Sequence, residues 1–220
     1  MSIKRRVLAA AATMTMVGGV SAVGLLPAAA STPSCGDCIS VSSQEYGPAF
    51  VLDVLRQGEK VGQPIILFRA SNSDPAEDFI ISAQGTVDDF EAAGLASKAL
   101  ALNYGTLEAY EYEYSPYGVD SGLCIGVGST AGNGTPVALE NCGQSSKTVW
   151  VADSNDSAGP DYPAINGSDT NFSHPYVLHY PGNGYPTDLP RPQLNTYTLQ
   201  EYSTSPPTVY NNELWGSPRP

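Results

Sequence analysis

Apolar residues along this chain fall in short bursts, not in helical stripes. Beyond a first apolar run from Val7 to Leu26, the bursts alternate with polar positions: FVLDVL at 50–55, PIILFR at 64–69, AYEYEY at 109–114, LCIGV at 123–127, PVALE at 136–140, YPAIN at 162–166 and YVLHY at 176–180. Period-two alternation over such lengths marks half-buried strands. Glycine, proline, asparagine and serine separate the bursts, as turns require. One stretch, TVDDFEAAGLASKAL at 86–100, has helical spacing instead, and Gly94 interrupts it. The pattern predicts an all-β fold.

The bursts repeat. Three segments open on proline (Pro64, Pro136, Pro175) and carry leucine three residues later (Leu67, Leu139, Leu178). Each then enters a polar loop and regains an aromatic at the next strand (Phe79, Trp150, Tyr197). A further short strand precedes each proline, at 50–55, 123–127 and 162–166. The unit reads strand, turn, strand, loop, aromatic strand. Self-similar units of this size bury one core together, so the leucines and aromatics are expected to converge there. Copies two and three are offset by 39 residues, copies one and two by 72. The excess, about 88–119, is read as an insertion; its Tyr110, Tyr112 and Tyr114 alternate with Glu111 and Glu113 as in a strand. Whether it is an inserted hairpin or a decayed fourth unit stays open.

Composition and charge add compartment and exclude partners. Lys4, Arg5 and Arg6 precede the Val7–Leu26 run, and Ala28, Ala29 and Ala30 follow it. That is the layout of a cleaved export signal over 1–30, which predicts a secreted, extracellular protein. Arg5-Arg6 leaves Sec and twin-arginine export both open. No second run of spanning length follows, so no membrane association is expected after cleavage. The remaining 190 residues carry 7 Lys+Arg against 22 Asp+Glu. Such acidity repels phosphates and excludes a nucleic-acid partner. A length of 190 suits one domain.

Four cysteines in an exported chain point to disulfides, and three pairings are possible. Pairing near neighbours gives Cys35–Cys38 and Cys124–Cys142. Residues 31–45 read as an N-terminal segment holding the CxxC, 46–203 as the repeat domain, and 204–220 as a proline-rich tail.

The second unit carries a resemblance. LCIGV, then GNGTPVALENCGQSSKTVW, is similar to a repeat of the ricin B-chain-type β-trefoil lectins, whose unit runs C-L-D-V, G-T-x-V-x-L-x-x-C and Q-x-W. Cys124 and Cys142 match the paired cysteines and Trp150 the core tryptophan. Phe79 through Val87 resembles the family's W-x-ϕ-x-x-x-G-x-I stretch. The resemblance implies a β-trefoil of three repeats, with an insertion between repeats one and two. It also implies a division of labour at each sugar site: an aspartate accepts from hydroxyls, an aromatic stacks on the ring, and an Asn or Gln from the late loop completes the contacts.

Carried over residue by residue, these roles favour the first unit. Asp53 stands in V-L-D-V, and Phe68 stands where the stacking ring belongs, out of phase with Leu67. Glu77 is the nearest polar partner by alignment, and Asn72 is the second choice. In unit two the aspartate place holds Gly126, the aromatic place Glu140, and Thr148 replaces the glutamine. In unit three Ile165 takes the aspartate place, with His179 and Tyr180 near the aromatic place.

Other chemistry is sparse. His174 and His179, the only histidines, have no metal-ligand spacing, and no metal or cofactor is expected. No nucleophile elbow, zinc-binding HExxH or phosphate loop is present, and no constellation argues for an enzyme. Asn133-Gly134 is expected to turn the unit-two hairpin with positive φ angles. The expectation is a non-catalytic trefoil that binds glycan weakly through repeat one. The alternative is a trefoil that binds an extracellular protein instead, for example as a hydrolase inhibitor.

Overall fold

The computed structural model describes residues 35–44, 47–71, 74–156, 161–180, 198–201 and 213–216. The export segment expected over 1–30, Asn72, Tyr197 and most of the 204–220 tail lie outside them.

Twelve strands are formed among the described residues: β1 (Ser42–Ser43), β2 (Gly47–Val54), β3 (Ile65–Arg69), β4 (Phe79–Thr86), β5 (Glu108–Tyr114), β6 (Leu123–Val127), β7 (Thr135–Asn141), β8 (Trp150–Ala152), β9 (Tyr162–Asn166), β10 (Tyr176–His179), β11 (Thr198–Glu201) and β12 (Leu214–Gly216). Six of them close a ring. β4 pairs with β5, β5 with β8, β8 with β9, β9 with β12, and β12 with β1, all antiparallel. A bridge between Ile39 and Phe79 joins the entry to β1 back to β4. The other six form hairpins, β2–β3, β6–β7 and β10–β11. Each hairpin hangs from the ring by its first strand, through Ser42–Val51, Glu113–Cys124 and Ile165–Val177. The molecule is thus an all-β trefoil of three four-strand units.

The register corrects the sequence-derived repeat. β10 corresponds to β2 and β6, one strand earlier than the leucine alignment implied. Leu178 is therefore the counterpart of Leu52 and Ile125, and Leu199 that of Leu67 and Leu139: each pair, Leu52–Leu67, Ile125–Leu139 and Leu178–Leu199, faces across its own hairpin. All six lie in one core cluster, which also holds Phe79, Trp150 and Trp215. The third aromatic is Trp215. Its indole N–H donates to the Leu178 carbonyl at 2.9 Å, as that of Trp150 donates to Ile125 at 2.8 Å. A narrow void of about 10 Å³ remains in the core, lined by the equivalent triplets Leu52/Ile125/Leu178 and Val41/Tyr112/Ala164 with both tryptophans and Tyr162.

The expected boundaries shift for the same reason. β1 and β12 lie outside 46–203, yet the ring cannot close without them. Within 88–119, β5 is a ring strand, neither an inserted hairpin nor part of a fourth unit. The true excursion is two short helices, α1 (Val87–Ala92) and α2 (Lys98–Tyr104), between β4 and β5. Thr86 and Asp89 form a reciprocal capping box on α1, Ser97 caps α2, and Gly94 parts them at φ 77°. Val87, Phe90 and Leu100 bury against Val149, Val151, Ile165 and Val177, so the helices cover one outer face of the ring. In the loop before β7 only Gly134 takes a positive φ; Asn133 does not, because the loop is longer than a two-residue turn. Disulfides join Cys35 to Cys38 and Cys124 to Cys142.

Equivalent positions predict equivalent costs. Leu52→Ala, Ile125→Ala and Leu178→Ala should each lower unfolding free energy by about 2–5 kcal/mol in urea titrations, the range for truncated core residues. A loss under about 1 kcal/mol for Leu178→Ala, the size of a surface change, would contradict the assigned register.

Candidate functional site

Unit one builds its candidate site on the outward face of the β2–β3 hairpin. The register sets Val51 opposite Phe68 and Asp53 opposite Ile66. Because strand side chains alternate, these four share one face, and Leu52, Val54, Ile65 and Leu67 share the other, core-facing one. Asp53 and Phe68 are diagonal neighbours on the outward face, within reach of each other's side chains. Phe68 is only partly buried.

A tight 3₁₀ turn, Pro75–Glu77, packs against this hairpin. Asp74 caps it, accepting from the Ala76 N–H at 3.0 Å, and Pro75 presets its first φ. Gln57 donates to the same Asp74 oxygen at 2.9 Å, tying the first loop to the second. Arg56 and Gln57 hold φ values of 56° and 54°, a strained left-handed pair on the rim. Glu77 accepts from the Ser71 N–H through both oxygens, at 2.8 and 3.1 Å. The result brings carboxylate oxygens of Asp53, Asp74 and Glu77 within 4.8 Å of one another. Asp53 is 4% exposed and Glu77 1%.

Electrostatics follow from that crowding. Burial, then the charge of Asp74, pushes Asp53 up to about 7. Burial pushes Glu77 up to about 8; the Ser71 N–H opposes the rise, and the charges of Asp53, Asp74 and Asp78 add to it. Near neutral pH both acids are partly protonated, so each can donate as well as accept.

The other units show what this site is not. The counterpart of Asp53 is Gly126 in unit two and His179, not Ile165, in unit three. The counterpart of Glu77, two residues before the core aromatic, is Thr148 and then Glu213. In unit two the site is shut: a Cβ on Gly126 would meet the Lys147 carbonyl and the Thr148 methyl, each at 2.9 Å. Thr148 donates to Glu111 at 2.5 Å, and Ser145 takes the capping place of Asp74. In unit three His179 Nδ1 lies 3.9 Å from Glu213, and burial lowers the imidazole to about 4.

Of the sequence-predicted residues, Asp53 has Phe68 as its diagonal neighbour on one face and a Glu77 oxygen within 4.8 Å of its own; Asn72 lies outside the described residues. Sequence reasoning missed Asp74, although SDPAE at 73–77 has the aspartate–proline start and the glutamate three residues on that mark a helical cap. It also gave the third core aromatic to Tyr197, whereas Trp215 fills that place, and Glu213-Leu214-Trp215 repeats the spacing of Glu77-Asp78-Phe79.

No protein-family model matches the sequence, and no curated protein matches it. Solved structures share the fold. The designed threefold-symmetric protein ThreeFoil matches 82% of this chain and 97% of its own, at 12% identity and TM-score 0.54. 1,3Gal43A, an exo-β-1,3-galactanase from Clostridium thermocellum, matches over 84% of this chain and 30% of its own, at 12% identity and TM-score 0.52. A mosquitocidal holotoxin matches over 82% and 17%, at 14% identity and TM-score 0.50. This chain thus spans less than a third of the galactanase and of the toxin. At such identity the likeness is one of fold.

The carboxyl cluster predicts a pH signature. Folded Asp53 and Glu77 keep protons that the unfolded chain releases from 3.8 and 4.5 upward. Their stabilisation is full below about pH 4 and is lost as pH rises to about 8. His179 acts oppositely: its contribution is full above 6.5 and is lost as pH falls toward 4. Asp53→Asn should therefore flatten the fall in Tm between pH 5 and pH 8 in metal-free buffer and leave the acid limb alone. An unchanged slope would contradict the assignment.

Proposed function

We propose that this is a secreted, non-catalytic, ricin B-like trefoil that binds glycan weakly through unit one. The observation that carries the reading is that Phe68 lies diagonal to Asp53 on one face of the unit-one hairpin, with a Glu77 oxygen within 4.8 Å of one of Asp53. Phe68 offers an apolar ring to the apolar face of a sugar. Asp53 offers carboxyl oxygens to adjacent hydroxyls, and buried Glu77 holds the loop behind it through the Ser71 N–H. The galactanase among the fold's neighbours makes a polysaccharide-directed module a reasonable context. Units two and three lack the trio, so one site per chain is expected, and useful affinity would come from multivalent display.

Glycan-array screening of the chain without residues 1–30 tests the reading, with signal expected from the wild type. Asp53→Ala and Phe68→Ala should each abolish it while circular dichroism stays native. A silent wild type, or signal that survives both changes, would reject the site.

A further inference from the structure

The Asn133-Gly134 step, which turns the chain into β7, carries chemistry that neither the fold nor the glycan reading uses. Asparagine is a chemically labile residue, and glycine after it leaves the next amide nitrogen unshielded by any Cβ. The pair is therefore prone to deamidation. The chain holds three such steps, at 133, 166 and 183. Asn183 lies outside the described residues, and the other two sit in opposite surroundings.

Asn166, in β9, is 0% exposed. Its Nδ2 donates to the Lys147 carbonyl at 3.0 Å. Its Oδ1 accepts from the Ser168 N–H at 3.1 Å and from the Ser168 hydroxyl at 2.7 Å. The Gly167 N–H donates to the Val149 carbonyl at 2.8 Å. Both reacting groups are thus fixed inside the fold. Asn133 is exposed, and so is Gly134. The Gly134 N–H donates to the Leu199 carbonyl at 2.8 Å, and the Thr135 N–H closes the turn onto Gly132 at 3.0 Å.

We propose that Asn133 is a site of spontaneous covalent modification, gated by the seam between β7 and β11. The Gly134 nitrogen attacks Cγ of Asn133. The Cγ–Nδ2 bond breaks, and Nδ2 leaves as ammonia, taking the Gly134 amide proton. Solvent water then opens the cyclic imide at one of its two carbonyls. One opening leaves aspartate at position 133, and the other leaves isoaspartate. While Leu199 holds the Gly134 N–H, that nitrogen is not free to attack, so the reaction runs through local opening of the seam. Opening an exposed turn releases few contacts, whereas freeing Asn166 requires its strand to leave the core.

The product acts on the same seam. Isoaspartate adds one methylene to the backbone, which shifts the Gly134 N–H away from the Leu199 carbonyl. β7 and β11 pair only through Thr198–Pro136 and Leu199–Thr135, so the contact between units two and three loosens. The face bearing Asp53 and Phe68 belongs to another hairpin, and the inference stands whether or not that face binds glycan.

The full chain is aged at mildly alkaline pH, folded and in concentrated urea, and mapped by peptide mass spectrometry with isoaspartate-specific methyl labelling. In the folded chain, conversion at Asn133 should be at least about tenfold faster than at Asn166, because local opening is cheaper than global unfolding. In urea both steps should convert at similar rates. The added negative charge lets ion exchange separate the converted folded chain, whose Tm should be lower than that of the unconverted chain. Asn133→Gln should remove the fast phase. Equal folded-state rates at Asn133 and Asn166, or no conversion at Asn133 while the urea-unfolded chain converts, would overturn the site. An unchanged Tm in the isoaspartate fraction would overturn its effect on the seam.

Discussion

The structure depends on closing a six-stranded ring with the two ends of the described chain. β12 lays Trp215 and Gly216 against Ser43 and Ser42, and the Ile39–Phe79 bridge completes the circle. Closure removes the exposed edges that an open sheet would present. It also brings three hairpins together over one interior, where the Leu52/Ile125/Leu178 and Leu67/Leu139/Leu199 triplets meet. Two indole N–H groups bond to equivalent carbonyls, so the largest buried polar-tipped side chains are satisfied without water. The ring and its hairpins form a rigid frame on which each unit offers the same outward face.

A repeated frame makes divergence readable. At one place the three units carry Asp53, Gly126 and His179; at a second they carry Glu77, Thr148 and Glu213. The strand register repeats in each, so these places can be compared side chain by side chain. Unit two drops its turn onto Gly126 and leaves no room. Unit three buries an imidazole beside a glutamate. Unit one gathers carboxylates that burial drives toward protonation, beside a partly buried phenylalanine. The helices α1 and α2 add cover to the ring on another face and contribute nothing to this cluster.

Much of the fold was legible because strands advertise themselves by alternation. PIILFR separates Leu67 from Phe68 by phase, and that phase turned Phe68 away from the core leucine before any coordinates. The unit-two landmarks Cys124, Cys142 and Trp150 carried the trefoil kinship. The third unit misled because prolines and leucines recur by chance in β-rich chains: Pro175 and Leu178 mimic the start of β7 but belong to the start of a hairpin. Tyr197 drew attention away from Trp215, which sits past a proline-rich stretch that reads as tail. The insertion was overdrawn because tyrosine alternation at 110–114 signals a strand without saying which sheet will accept it. The carboxyl cluster was half visible: Asp53 and Glu77 came from alignment, whereas Asp74 enters through a cap whose neighbours in space are distant in sequence.

The central claim is that recognition chemistry resides in one unit of three. Hydrogen–deuterium exchange with and without a glycan that binds tests it most directly. Amide protection should rise over residues 50–57 and 65–78 and stay unchanged at the equivalent stretches, 123–128, 137–149 and 176–180. Protection spread equally over the three units, or confined to the helices at 87–104, would contradict it.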